Sequence, residues 1–166
     1  GLDTMLRGGL VEGRPYAVMG GPGAGKSILG WQFLHEGATK GEQTLYVTLD
    51  EPHDEIRANM DSLDMMDPSI KIMDLSPEDV EKEGDISSLT YLDQELPAQL
   101  IRFKPTRVVL DSTTSIRTME PDPFRARRRI LSIMRTLSSV TTDEDFPITS
   151  ILITETNGIE HPVEGY

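Results

Sequence analysis

"GGPGAGKS" (residues 20–27) decides how the rest of the chain is read. The spacing is G-x-x-x-x-G-K-[ST], with Gly20, Gly25, Lys26 and Ser27 at the fixed positions. Glycine has no Cβ and tolerates positive φ, so such a loop can close round an anion with its N–H groups turned inward. The preceding "PYAVMG" (residues 15–20) reads as a short buried strand, and "KSILGWQFLHEGA" (residues 26–38) as a helix. The helix adds free N–H groups and a positive dipole end. Strand, glycine loop and helix in this order are the context that a phosphate-binding P-loop requires. The loop residues Gly20, Gly21, Pro22, Gly23, Ala24, Gly25, Lys26, Ser27 and Ile28 are then the candidate nucleotide contacts. Lys26 would reach the β- and γ-phosphates, and the Ser27 hydroxyl would help to hold Mg²⁺. The competing reading is a glycine-rich turn with a surface lysine.

Outward from the loop, strands and helices alternate. "GEQTLYVTL" (41–49) starts polar and becomes a β-rich strand, and "PHDEIRANMDSL" (52–63) is a helix opened by proline and acids. "IKIMDL" (70–75) is a strand and "SPEDVEKEGD" (76–85) an acidic loop. "LTYLDQELPAQLIRFKP" (89–105) is helical, with Pro97 as a kink or a break. "RVVLDS" (107–112) is a strand, followed by a loop over 112–123. Residues 123–140 form an amphipathic helix with Ile130, Ile133, Met134 and Leu137 on one stripe, and "ITSILIT" (148–154) is the last strand. The pattern predicts a mostly parallel sheet with helices on both faces.

Hydrolysis needs a metal anchor and a group that orients water. Asp111 ends an apolar strand, the pattern of a Walker B aspartate that holds Mg²⁺, or else of a plain strand-end aspartate opening a turn. Asp50 and Glu51 end the strand "LYVTL", where open α/β sheets bind ligands. Glu51 has the longer reach and is the first choice as general base; with Asp50 and Lys26 it completes the candidate catalytic set. The pair could equally be a solvated acid pair at a helix N-terminus. Thr154 and Glu155 precede an Asn-Gly turn and could sense the γ-phosphate, or simply close a strand end. "RARRR" (125–129) is the one basic cluster, read first as a solvated face, then as a subunit contact, and last as a nucleic-acid contact. His35, His53 and His161 lack metal-ligand spacing and read as structural; Met60, Met65, Met66 and Met73 read as core filler.

The chain has 166 residues, no cysteine and a net charge of −12. Cysteine catalysis, disulfides and thiolate metal sites are therefore excluded. So acidic a chain should be repelled by nucleic acid and anionic lipid, and little lysine beside many acids suggests solvation in high salt. No apolar run reaches the ~20 residues of a membrane span, and no signal peptide opens the chain, which predicts a cytoplasmic protein.

"GLDTMLRGGLVEGRPYAVMGGPGAGKS" resembles the opening of the KaiC-type ATPases of the RecA superfamily, where a similar glycine-paired lead-in precedes the P-loop. "LYVTLDEP", "RVVLDSTTSI", and "ILITET" followed by "VEGY" resemble that family's second-strand motif, its Walker B segment and its last shared motif. In the second-strand motif Leu49, Asp50 and Glu51 stand where the family has phenylalanine and two glutamates, so Asp50 is a departure. The resemblance implies a RecA-like fold over residues 1–166, ATP and Mg²⁺, and a homo-oligomer, hexameric by preference, with ATP between subunits. It makes Glu51 the catalytic base. Family domains continue past the position of Tyr166, so the domain is expected to be truncated at its C-terminal end, and clock function and autokinase activity are not carried over. The leading function is a slow regulatory ATPase, with a signalling protein as a possible partner. The rivals are a recombinase-type, DNA-stimulated ATPase and a nucleotide-gated binding module that does not hydrolyse.

Overall fold

The computed structural model describes residues 2–76, 87–139 and 147–156. The elements in chain order are α1 (Leu2–Met5), β1 (Pro15–Gly20), α2 (Lys26–Thr39), β2 (Thr44–Thr48), α3 (His53–Ser62) and β3 (Lys71–Asp74). They continue with α4 (Ser88–Phe103), β4 (Arg107–Asp111), α5 (Thr113–Met119), α6 (Pro123–Ser139) and β5 (Thr149–Glu155). Every strand and helix expected from the pattern over the described residues is present. Apart from Ser76, the expected acidic loop lies outside them, as do the Asn-Gly turn, "VEGY" and His161.

The five strands are all parallel, in the order β1-β5-β4-β2-β3. Parallel strands need crossover helices, and those helices bury both faces of β2, β4 and β5. Alternation along β2 shows the division. Leu45, Val47 and Leu49 join one core with Leu92, Leu96 and Leu100 of α4, Ile116 of α5, and Ile133 and Leu137 of α6. Tyr46 points the other way, into a second core with Trp31 and Leu34 of α2 and Ile56 and Met60 of α3. This is the RecA-like α/β architecture. Because the strands are parallel, all their C-terminal ends meet at one edge. Gly20 pairs with Glu155 there, and Thr48 with Asp111.

Helix α2 lies unusually close to the sheet. A Cβ on the fully buried Gly30 would sit 3.0 Å from Val109 Cγ1 and 3.2 Å from Ile153 Cδ1. Glycine at this position lets the helix that begins at the P-loop rest directly on β4 and β5.

Three expectations are corrected. β1, expected as a buried strand, lies at one end of the strand order; none of its residues is buried, and Met19 is exposed. The stretch 112–123 is not all loop: it contains α5, whose polar sequence TTSIRTM lacks an apolar period. Pro97 does not break α4, which runs unbroken through it. Leu89, Leu92, Leu96 and Leu100 are buried along one side, and their packing offsets the hydrogen bond that proline cannot make. The expected stripe on α6 is confirmed, with Ile133 and Leu137 in the core and Ile130 and Met134 packed against it. Met60 and Met73 are buried, and Met65 and Met66 pack against the second core.

The basic cluster is only partly solvated. Arg129 donates to Leu89 O at 3.1 Å and to the Asp93 carboxylate, tying α6 to α4. Arg125 pairs with Asp122 within its own helix start, and Arg127 and Arg128 are exposed. Among the described residues, no helix is long and apolar enough to cross a membrane.

Candidate functional site

The P-loop follows β1 and turns into α2 at Gly25, whose φ of 82° is left-handed. Cβ atoms built on Gly21, Gly23 and Gly25 would meet nothing within 4 Å, so the glycines leave open space in front of the loop backbone. An anion needs that space if main-chain N–H groups are to approach it. Lys26 is only 7% exposed. Its ammonium donates to Gly21 O at 2.8 Å and to Glu155 Oε1 at 3.4 Å, so it bridges the loop to the end of β5. Ile28 is the third residue of α2 and is exposed.

Beside the loop, at the C-terminal ends of β2, β4 and β5, is a cleft of about 390 Å³. Ser27, Asp50, Glu51, Asp111 and Glu155 all line it. The topology thus brings together residues far apart in sequence, at the strand edge where open α/β sheets bind ligands.

The two adjacent acids are not equivalent. The Asp50 carboxylate accepts hydrogen bonds from Ser112 Oγ at 3.2 Å and from Ser115 Oγ. It ties the end of β2 to the start of α5. Glu51 has its backbone fixed instead: Thr48 Oγ1 accepts from Glu51 N–H at 3.2 Å and donates to Glu51 O at 2.8 Å. Partial burial pushes the Glu51 carboxyl above the ordinary glutamate value, and the negative charges of Asp111, Glu55 and Asp50 add to the shift. Perturbation by burial and neighbouring charge is what marks a residue in a cleft as a candidate site residue.

Asp111 sits where β4 leaves the sheet, and the Asp111–Ser112 peptide that follows is cis. The Tyr46 hydroxyl donates to Asp111 Oδ2 at 2.6 Å. Tyr46 is 3% exposed and its ring lies 5.5 Å from that of Trp31. Burial, with the charge of Asp111 beside it, pushes the phenol far above its ordinary range, so it remains a donor.

The oxygen donors suit Mg²⁺. Ser27 and Asp111 share the cleft, and among the described residues no group of three or more His, Asp or Glu could hold a metal by itself. Mg²⁺ is commonly held by one or two protein carboxylates, with water and substrate phosphate completing its shell.

Thr154 stands apart from the other candidates. Its hydroxyl is 2.7 Å from that of Thr113, on the opposite face of β5 from the cleft. Glu155 faces the cleft, while its backbone N–H donates to Thr114 Oγ1 at 2.8 Å. The strand end is therefore stitched to α5 on one side and to Lys26 on the other. His35 and His53 lie beside Asp67 and Asp54 and do not enter the cleft.

Sequence reasoning missed Tyr46, Thr48, Ser112 and Ser115. Tyr46 looked like an apolar strand residue, and its partner lies 65 positions away. The Ser/Thr run after Asp111 was a usable helix-start signal. Ser112 does precede α5, but its side chain does not cap the helix and reaches Asp50 instead.

The sequence model of the family described as "ATPase: KaiC" matches residues 1–166. A UPF0273 protein of Thermotoga maritima is 32% identical to the chain, over 99% of this chain and 74% of its own length. A UPF0273 protein of Pyrococcus furiosus is 31% identical, over 99% of this chain and 73% of its own length. The circadian clock oscillator protein KaiC of Prochlorococcus marinus is 29% identical over 89% of this chain, which spans only 33% of that protein. With a P-loop, a Walker B strand and an acid pair meeting at one edge of a parallel sheet, and the family match running from end to end, this chain belongs to the KaiC ATPase family of P-loop nucleotide-binding proteins.

Proposed function

We propose that the chain binds ATP with Mg²⁺ and hydrolyses it, acting in the cytoplasm as a slow regulatory homo-oligomer. One observation carries this reading: Glu51 opens on the same cleft as Ser27 and Asp111, while its neighbour Asp50 is held by two serines. The P-loop glycines and Lys26 would bind the phosphates. Ser27 and Asp111 would hold the metal, which when bound neutralises charge on the transferring phosphoryl group. Glu51 would accept the proton of the attacking water, and the fixed Thr48–Glu51 turn would aim its carboxylate. Asp50 would position the start of α5, and Glu155 would report the position of Lys26 through the contacts of β5 with that helix.

Homo-oligomerisation, as a hexamer by preference, has its own support. Among the described residues lining the cleft there is no arginine. A second positive charge for the phosphates would then come from a neighbouring copy. The net charge of −12 disfavours nucleic acid as a partner and leaves a signalling protein as the alternative.

The test is phosphate release from ATP by the full-length protein, with and without single-stranded DNA. Glu51→Gln should keep nucleotide binding and lose turnover by ~10²–10⁴-fold. Stimulation by DNA would favour the recombinase-type reading, and tight binding without turnover would make the protein a nucleotide-gated module.

A further inference from the structure

We infer that Tyr46 is a positioning residue of the metal site, holding the Walker B aspartate beside the P-loop serine through one buried phenol; this rests on the nucleotide-binding reading above. Three observations support it. Tyr46 occupies the middle of β2, in a sheet whose other middle residues are aliphatic, yet its hydroxyl is spent on Asp111 Oδ2 at 2.6 Å. The register explains the reach. Thr48 is the partner of Asp111 across the β2–β4 pair, so Tyr46, two residues earlier, shares their face and extends diagonally to the strand edge. Ser27 is the third element: it lines the same cleft as the phenol and Asp111.

The ring is fixed independently of the cleft. It packs against Trp31, whose indole N–H donates to Met65 O at 2.7 Å. A donor on so rigid a support holds one oxygen of Asp111 in place and leaves the other for a cation. Partners that orient metal ligands in this way typically change metal affinity by roughly 10–100-fold when removed. A tyrosine needed only for packing would have no use for the hydroxyl, and phenylalanine would fill the same space.

Tyr46→Phe removes the hydroxyl and keeps the ring. Emission from Trp31, the chain's single tryptophan, reports whether the ring still packs. Two affinities are then measured on the full-length protein: that for a fluorescent, non-hydrolysable ATP analogue in EDTA, and the Mn²⁺ midpoint with that analogue saturating, read by electron paramagnetic resonance. The expected result is a Mn²⁺ midpoint raised about tenfold, with affinity in EDTA changed less than twofold. In Asp111→Asn, adding Tyr46→Phe should raise the midpoint no further. An unchanged midpoint, an equal loss in EDTA and Mn²⁺, or additive effects of the two substitutions would each overturn the positioning role. Wild-type protein that binds no nucleotide in either condition would overturn the function itself.

Discussion

Gly30→Ala tests whether α2 is pressed onto the sheet as the packing indicates. In an exposed helix this change stabilises by about 1 kcal/mol, because alanine is the better helix former. Here the new Cβ would lie 3.0 and 3.4 Å from the two methyls of Val109 and 3.2 Å from Ile153 Cδ1. Comfortable carbon contacts lie at about 3.5–4.0 Å. Val109 is on β4, which is hydrogen-bonded on both sides, to β2 and β5, so the strand cannot give way. The helix must lift or the side chains must leave their rotamers, at ~1–3 kcal/mol. Overpacking outweighs propensity, and the expected net loss is ~1 kcal/mol, or a Tm lower by roughly 2–4 °C for a domain of this size. Thermal and urea unfolding followed by circular dichroism give both values. Val109→Ala in the same chain should recover part of the loss, a coupling of ~1 kcal/mol between touching residues. A Gly30→Ala protein more stable than wild type by the full propensity gain would refute the close approach.

Glu51→Gln should raise Tm at neutral pH, because it removes a charge that burial and neighbouring carboxylates disfavour. With the folded pKa above the unfolded one, that advantage should fade as pH falls through the raised pKa and be gone below the ordinary glutamate value; an advantage constant down to acid pH would assign it to packing. Asp50→Asn should cost turnover far less than Glu51→Gln in single-turnover assays, and the reverse order would exchange the two roles. Lys26→Ala should abolish nucleotide binding measured by calorimetry while the circular dichroism spectrum stays unchanged, and retained affinity would remove the P-loop from the site. Assembly of the full-length protein, followed by light scattering, should strengthen from low to molar salt, because −12 charges per chain repel and the Debye length falls from ~10 Å at 0.1 M to ~3 Å at 1 M. Weakening with salt would point to attractive ionic contacts instead.

The elements that announced themselves were those with a strong period or a strong motif. β4 and β5 are short apolar runs, as strands buried on both faces must be, β1 is a similar run at the sheet edge, and α6 shows its stripe plainly. The P-loop, Asp111 and the Asp50–Glu51 pair were legible because local chemistry fixes residue types at short spacing. What stayed hidden was relational. That Asp50 is tied up and Glu51 is not depends on Ser112 and Ser115, more than 60 positions away. Thr154 and Glu155 could have been separated in advance: adjacent residues on a strand point to opposite faces, so both cannot face one phosphate. Tyr46 was beyond reach, since an aromatic among aliphatics in a central strand reads as core, and only the β2–β4 register shows where its hydroxyl ends.

The strand order carries a consequence for the life of the chain on the ribosome. β5 comes last among the described strands, yet it lies between β1 and β4, and among those strands it is the only neighbour of β1. Until it is synthesised, β1 lacks its partner among the described strands, and the P-loop is held to the sheet only through the packing of α2 on β4 and β2. Lys26 lacks its contact with Glu155, and the first and last walls of the cleft have not met. Closing that gap is a long-range event of the kind that slows folding. The complete cleft is therefore a late product of synthesis: its β5 wall, with Glu155 and the pairing of β1, is added only once translation passes residue 155.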